Sequence, residues 1–291
     1  MRYLVTGASG LVGYYLCGRL SSLEHTIIPA THLHRAGLQG EIQFDICDVK
    51  SVQKAMHEAA PDIVVHCAAM TNIDQCEQQS DLAEKINASG TENICNAANE
   101  IGAKFVFMST SFVFGSQSGP LAEDSRPSPI NSYGASKLRA ESYVQAHSRG
   151  FLILRIDQPF YKPQAWQKAD MVSRILSQLK RGEQFEVVFD WFNQPTYLPD
   201  LYLAMDALIR EDQHGIFHCT GQERISRFDW AKLIAKVYGF DADLIKPVLS
   251  SKLNLPALRP DMVLSCSKLS KATGLSSTPL ERALAELKNL G

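Results

Sequence analysis

Val5-Thr6-Gly7-Ala8-Ser9-Gly10-Leu11-Val12-Gly13 is the stretch that decides the fold. A short apolar run, Arg2 to Thr6, leads into it, and a helical pattern from Tyr14 to Leu20 leads out. Strand, glycine-rich turn and helix, in that order, open a dinucleotide-binding unit. Gly7 admits the tight turn, Gly10 lets backbone approach a pyrophosphate, and Gly13 permits close helix packing. The helix N-terminus then offers free N–H groups to anionic phosphates. Ser9, Leu11 and Val12 complete the turn as expected cofactor contacts.

Outward from this turn the chain keeps alternating. Thr26 to Thr31 reads as a second strand, ending in His32-Leu33-His34-Arg35. An acidic residue at such a strand end binds the ribose 2'-hydroxyl of NAD. None occurs between His25 and Gly40, and Arg35 is available for a 2'-phosphate, so the expected cofactor is NADPH, with NADH as the alternative. Gln43 to Asp48 reads as the third strand and its turn, with Asp45 and Ile46 flanking the adenine; the alternative for Asp45 is a cap on the helix beginning near Ser51. Asp62 to Ala69 is a buried strand ending in Ala68 and Ala69, small enough for a cofactor to lie against backbone. Asp81 to Ile101 reads as a helix and Lys104 to Met108 as a strand. The alternation predicts an α/β fold with a doubly wound parallel sheet and helices on both faces. Its ligands collect at the carboxyl ends of the strands.

A second stretch carries chemistry. In Asn131-Ser132-Tyr133-Gly134-Ala135-Ser136-Lys137, Tyr133 and Lys137 stand four apart, on one face at the start of a helix. A free phenol titrates near ~10 and exchanges protons poorly at neutral pH. An ammonium beside it is expected to pull that value down, making an acid/base couple for a carbonyl oxygen.

Composition excludes several classes. A net charge of -2 without a basic run argues against nucleic acid, and there is no apolar run long enough to span a bilayer. The N-terminus reads as a strand entering a turn rather than a signal peptide. Seven cysteines, never spaced C-x-x-C, read as reduced thiols of a cytoplasmic protein. The eight histidines form no metal pattern, so no metal is expected.

From Met108-Ser109-Thr110-Ser111-Phe112-Val113-Phe114-Gly115 onward the chain resembles an extended short-chain dehydrogenase/reductase, specifically the dTDP-4-dehydrorhamnose reductase-like branch. The resemblance rests on the glycine turn, on Ala68-Ala69-Met70-Thr71-Asn72-Ile73-Asp74-Gln75-Cys76-Glu77, and on Tyr133-Gly134-x-x-Lys137. It continues through Gln194-Pro195-Thr196-Tyr197, Pro199-Asp200-Leu201, Arg259-Pro260 and Cys266-Ser267-Lys268-Leu269. It implies a Rossmann-type fold with Thr110, Tyr133 and Lys137 as the catalytic set. Tyr133 would protonate a ketone oxygen as NADPH delivers hydride, Lys137 would bind the nicotinamide ribose, and Thr110 would orient the oxygen. The branch pattern also places Thr71 at the substrate. Two departures bear on specificity. Many members carry Asp-Tyr where this chain has Ser111 and Phe112, and related dehydratases need an Asp-Glu pair there, so dehydration is not expected. After the sixth strand, Asp157-Gln158 stands where the branch more often shows Thr or Ser with an aromatic, which sets Gln158 against the nicotinamide or substrate.

In the second half, Leu198 to Arg210 and Arg227 to Tyr238 read as helices, Phe185 to Phe189 and Gly215 to Cys219 as strands, and Pro279 to Leu290 as a C-terminal helix. Trp191, in an aromatic loop, is a candidate to stack on a base or sugar, or a core residue. Arg259 is a candidate for a substrate diphosphate, or a surface arginine. The resemblance makes the substrate lobe discontinuous: residues 1–158 and about 186–220 in the dinucleotide domain, about 159–185 and 221–291 in the substrate lobe. The leading expectation is NADPH-dependent reduction of a 4-keto deoxysugar nucleotide, the protein acting alone or as a homodimer. Two alternatives stand beside it. One is a regulatory subunit resembling the methionine adenosyltransferase β subunit, with a partner enzyme; the other is a sugar-nucleotide epimerase.

Overall fold

The computed structural model describes residues 1–23 and 25–290. Seven parallel strands form the central sheet: β1 (Arg2–Thr6), β2 (Thr26–Thr31), β3 (Ile42–Gln43), β4 (Ile63–His66), β5 (Lys104–Thr110), β6 (Phe151–Ile156) and β7 (Gly215–His218). Their spatial order is β7-β6-β5-β4-β1-β2-β3, so the winding reverses between β1 and β4. Successive residues along these strands are apolar, and each sends alternate side chains to opposite faces. Val5, Val65 and Val106 meet Leu16 and Leu20 of helix Leu11–Ser21 and Met205 and Leu208 of helix Leu198–Arg210. Leu4, Val64 and Phe105 meet Val52 and Met56 of helix Val49–Ala59, Ile94 of Gly90–Glu100 and Val144 of Ser132–His147.

Two expected elements differ. The third strand stops at Gln43: Asp45 Oδ1 accepts from Cys47 N at 2.8 Å, and Asp48, rather than Asp45, caps Val49–Ala59 by accepting from Lys50 N. The helix expected over Asp81–Ile101 is two α segments, Ser80–Glu84 and Gly90–Glu100, joined by a π turn at Lys85–Ser89. That extra residue per turn swings Asn87 inward, where Oδ1 accepts from Met70 N at 2.7 Å and Nδ2 donates to Met70 O and Ser136 Oγ.

A third core, around Phe160, Tyr197, Trp230 and Leu284, belongs to a smaller lobe of helices Met171–Leu179, Arg227–Tyr238 and Leu280–Asn289. Strand Phe185–Val188 pairs there with Ile245–Val248 rather than with the central sheet, so the stretch expected from about 186 joins the sheet side only at Leu198. Ser267–Thr273 lies on the sheet side, with Leu269 in the core beneath Leu198–Arg210. Connections between the lobes meet at two buried side chains. Asp157, just after β6, accepts from Gln194 N at 2.7 Å, and its own backbone bonds to Thr196 in both directions. The Gln194 amide donates to Gly221 O and Leu264 O and accepts from Leu264 N.

Candidate active site

The carboxyl ends of β1, β4, β5 and β6 open onto a cleft of about 1000 Å³. At one end stands the glycine turn. Gly7 holds φ of +66°, and a Cβ there would lie 2.7 Å from Ala68 N, so only glycine lets the turn press on the end of β4. A Cβ on Gly13 would run into Gly7 O. No side chain caps helix Leu11–Ser21 at Gly10, and among the described residues no protein acceptor meets the N–H groups of Leu11, Val12 and Gly13. These unmet donors at a helix N-terminus, lining the cleft with Ser9, form a cradle that fits a dinucleotide pyrophosphate. Asp45, Ile46, Ala68, Ala69 and Thr71 also line the cleft.

Arg35 lies outside the lining residues, exposed, its Nε donating to Gln43 Oε1 at 2.9 Å. Folding also brings an acid to the end of β2 that the local sequence does not show. The Glu41 carboxylate accepts from Thr31 Oγ1 at 2.6 Å and from the N–H groups of Ala36 and Gly37. Burial pushes its pKa up, but those bonds outweigh it and hold the group below the ordinary range. Glu41 is thus spent on shaping the loop and does not line the cleft.

At the other end Thr110, Phe112, Tyr133, Lys137, Asp157 and Gln158 share the wall. The helix carrying Tyr133 is fixed at its first turn: Asn131 Oδ1 accepts from Gly134 N at 2.8 Å and Glu77 Oε2 from Ser132 N at 2.7 Å. Gly134 passes so close to Phe112 O that a Cβ would collide with it, which seats Tyr133 against the end of β5. Thr110 Oγ1 accepts from Phe112 N at 3.2 Å, leaving its own proton to donate. Four residues beyond Lys137, Glu141 is fully buried and accepts from Ser109 Oγ, Arg155 Nε and Arg155 Nη2, the last at 2.7 Å. Tyr133, Lys137 and Glu141 therefore form one helical stripe anchored to β5 and β6.

The electrostatics correct one expectation. Burial pushes the Tyr133 phenol up to about 12, only partly opposed by the Thr110 hydroxyl. Lys137 does not act on it: its Nζ donates to Met108 O at 2.8 Å beneath the Phe107 ring, and burial pushes it down to about 7 despite Glu141. Desolvation outweighs the neighbouring charge for both groups. Asp157 is raised by burial, opposed by Gln194 N, Asn193, Ser111 and the Arg227 charge. Gln158 holds φ of +38°, a left-handed backbone on a residue with a Cβ, at the cleft wall.

The remaining expected substrate residues sit elsewhere. Ser111 is buried behind the wall, its Oγ without a hydrogen bond of full geometry. Trp191 lies outside the cleft lining, with the guanidinium carbons of Arg227 and Arg259 5.0 and 5.1 Å from its ring centre. Arg259 Nη2 donates to Asp74 Oδ2 at 2.7 Å and Nη1 to Ala257 O at 2.6 Å, so it is not a surface arginine. Sequence reading missed Glu141, Arg155, Asn87 and Arg227, whose partners lie far away in the chain.

A doubly wound sheet with this glycine cradle and a Thr-Tyr-Lys wall defines an extended short-chain dehydrogenase/reductase. The chain belongs to the RmlD substrate-binding-domain family, which it matches over residues 1–290. It is 30% identical, with a TM-score of 0.90, to the Bacillus anthracis dTDP-4-dehydrorhamnose reductase solved in complex with NADP, covering 100% of this chain and 99% of that one. It is 29% identical over 96% of its length to dTDP-4-dehydrorhamnose reductase of Mycolicibacterium smegmatis, covering 81% of that protein. It is 28% identical over 98% of its length to methionine adenosyltransferase 2 subunit beta of Mus musculus, covering 86% of that protein.

Proposed function

We propose that the protein is an NADPH-dependent reductase of a 4-keto deoxysugar nucleotide, with Tyr133 as proton donor. The observation that carries this reading is the shared wall of Thr110, Tyr133 and Lys137, facing along one cleft from a pyrophosphate cradle. Gly7, Gly10, Gly13 and the N–H groups of Leu11 and Val12 would hold the dinucleotide, and Arg35, beside the cleft, would meet a 2'-phosphate. When bound, the reduced nicotinamide supplies hydride to the carbonyl carbon. Tyr133, held up at about 12, keeps its proton at neutral pH and can give it to the oxygen as negative charge develops there. Thr110, whose hydroxyl faces the Tyr133 phenol, would turn its proton to the same oxygen. Lys137 would hold the ribose while remaining tied to β5.

Purified protein, NADPH and dTDP-4-dehydrorhamnose should give steady loss of reduced-nicotinamide absorbance. Tyr133→Phe should keep fold and cofactor binding while lowering turnover by about 10²–10⁴-fold. Unchanged turnover in that variant would remove Tyr133 from the acid role. The likeness to the methionine adenosyltransferase subunit supports a second reading, a dinucleotide-binding regulatory subunit. Tight NADPH binding without turnover, together with stoichiometric capture of a methionine adenosyltransferase, would favour it.

A further inference from the structure

Between the buried Phe160 and helix Met171–Leu179 of the small lobe, residues 161–170 form a loop whose ends are clipped together. Asp170 Oδ2 accepts from Tyr161 N at 3.0 Å, while its Oδ1 accepts from Ser173 N at 2.8 Å and caps the helix. A surface loop closed in this way holds its own shape. Ala165, Trp166, Lys168 and Ala169 are exposed, yet Gln167 among them is half-buried. Its backbone N donates to Gln164 O, and its side-chain Oε1 accepts from Gln164 N, both at 2.9 Å. The second bond fixes which way the amide faces. Nε2 then donates across to the other lobe, to Ser9 O in the glycine turn, at 3.0 Å. Aromatic edges accompany this contact: Tyr161 meets Tyr15 at 4.5 Å and Trp166 meets Tyr14 at 5.6 Å between ring centres, both partners on helix Leu11–Ser21.

Where that one bond falls gives it a role. Ser9 O and Gly10 N belong to a single rigid peptide unit. Gly10 N donates to Gly7 O at 2.9 Å, so the unit is held from within the turn at one end and by Gln167 at the other. The N–H groups that follow it are those of Leu11, Val12 and Gly13, the donors of the cradle. Glycine at 7 and 10 gives this turn backbone freedom that folding must remove, and rotation of the Ser9–Gly10 unit would re-aim the donors next to it. We propose that Gln167 is a positioning residue of the dinucleotide site: the small lobe reaches over to set the glycine turn, and so completes the pyrophosphate cradle from outside the cleft lining. Cofactor affinity then depends on the two lobes keeping their register. The inference rests on the dinucleotide cradle common to both readings above.

Calorimetric titration of NADP into the full chain tests it. Gln167→Met removes both side-chain bonds, whereas Gln167→Glu keeps an acceptor for Gln164 N but has no donor for Ser9 O. Both variants should bind NADP about three- to tenfold more weakly, the worth of one hydrogen bond. Adenosine 2'-monophosphate, which carries the adenine end and no pyrophosphate, is titrated alongside by displacement of NADP. It should bind both variants within about twofold of wild type, because the cradle does not hold it. Equal losses for the two ligands would mean that Gln167 only supports the fold, and would overturn the positioning role. NADP affinity within about twofold of wild type in Gln167→Glu would also overturn it, since only the bond inside the loop would then matter. Absence of NADP binding to the wild type would sink the cradle itself and both readings with it; binding that ignores Gln167 sinks the positioning role alone.

Discussion

Replacing Glu141 by Gln tests whether the Tyr133–Lys137–Glu141 stripe is held by a buried charge. Glu141 and Arg155 are 0% and 1% exposed, and the carboxylate receives both Nε and Nη2 of Arg155 as well as Ser109 Oγ. Glutamine nearly preserves the shape but removes the charge, and it can accept at only one of its two terminal atoms. Besides at most one bond to the glutamine oxygen, Arg155 would keep only Glu123 O at 3.4 Å, His218 Nε2 at 3.3 Å and the Phe114 face. Stranding a buried ion costs about 3–5 kcal/mol, a large fraction of the roughly 5–15 kcal/mol that holds a domain folded. For a chain of this size that is a fall in melting temperature on the order of 10 °C. Thermal unfolding followed by circular dichroism reads it directly. The decisive comparison is Glu141→Gln with Arg155→Met in one chain. If the cost comes from an unpaired cation, removing the cation should recover stability. A double variant no more stable than the single one would refute the reasoning.

Three further outcomes follow from the same geometry. Gly13→Ala sets a Cβ against Gly7 O and should cost about 1–3 kcal/mol of stability, with loss of NADPH binding in a fluorescence titration. Arg35→Ala should weaken NADPH more than NADH, by about tenfold; equal losses would remove Arg35 from the 2'-phosphate. Buried His66 and His218 are both pushed from 6.5 to about 3, in each case mainly by burial. The unfolded chain therefore takes up protons below pH 6.5 that the folded one refuses. The stability from these neutral rings is complete above that pH and lost as pH falls toward about 3, by up to about 1.4 kcal/mol per pH unit for each ring. Urea midpoints measured from pH 7 to 4 should fall accordingly and shift less in His218→Gln.

What could be read from the sequence was local. Helices Leu198–Arg210 and Arg227–Tyr238 and strand Thr26–Thr31 have the bounds that apolar spacing implies, because each buries one continuous stripe or run. The glycine turn and the Tyr133–Lys137 face were legible because their defining residues lie within a few positions of one another. The π turn at Lys85–Ser89 leaves no periodic signature, since one added residue disturbs the apolar spacing less than a glycine or proline would. The Arg259–Asp74 pair could not be read, because its members stand 185 residues apart. The Tyr133 environment misled for a related reason: sequence spacing sets how near Lys137 is, but not that Met108 O takes its ammonium.

The bonds at Asp157 and Gln194 have a mechanical consequence. Connections between the lobes arrive from four places in the sequence, near 158, 194, 220 and 265, and these two side chains lace them together. A single tether would let the lobes twist and slide; laced connections behave as one pivot and leave opening about their common line as the easy motion. The pivot would run beside Gln158, so any swing of the lobes would centre on the cleft wall that carries Tyr133. Closure on a ligand would then narrow the cleft at this wall, and substituting Gln194 by Ala would loosen the closed geometry while leaving each lobe's own core intact.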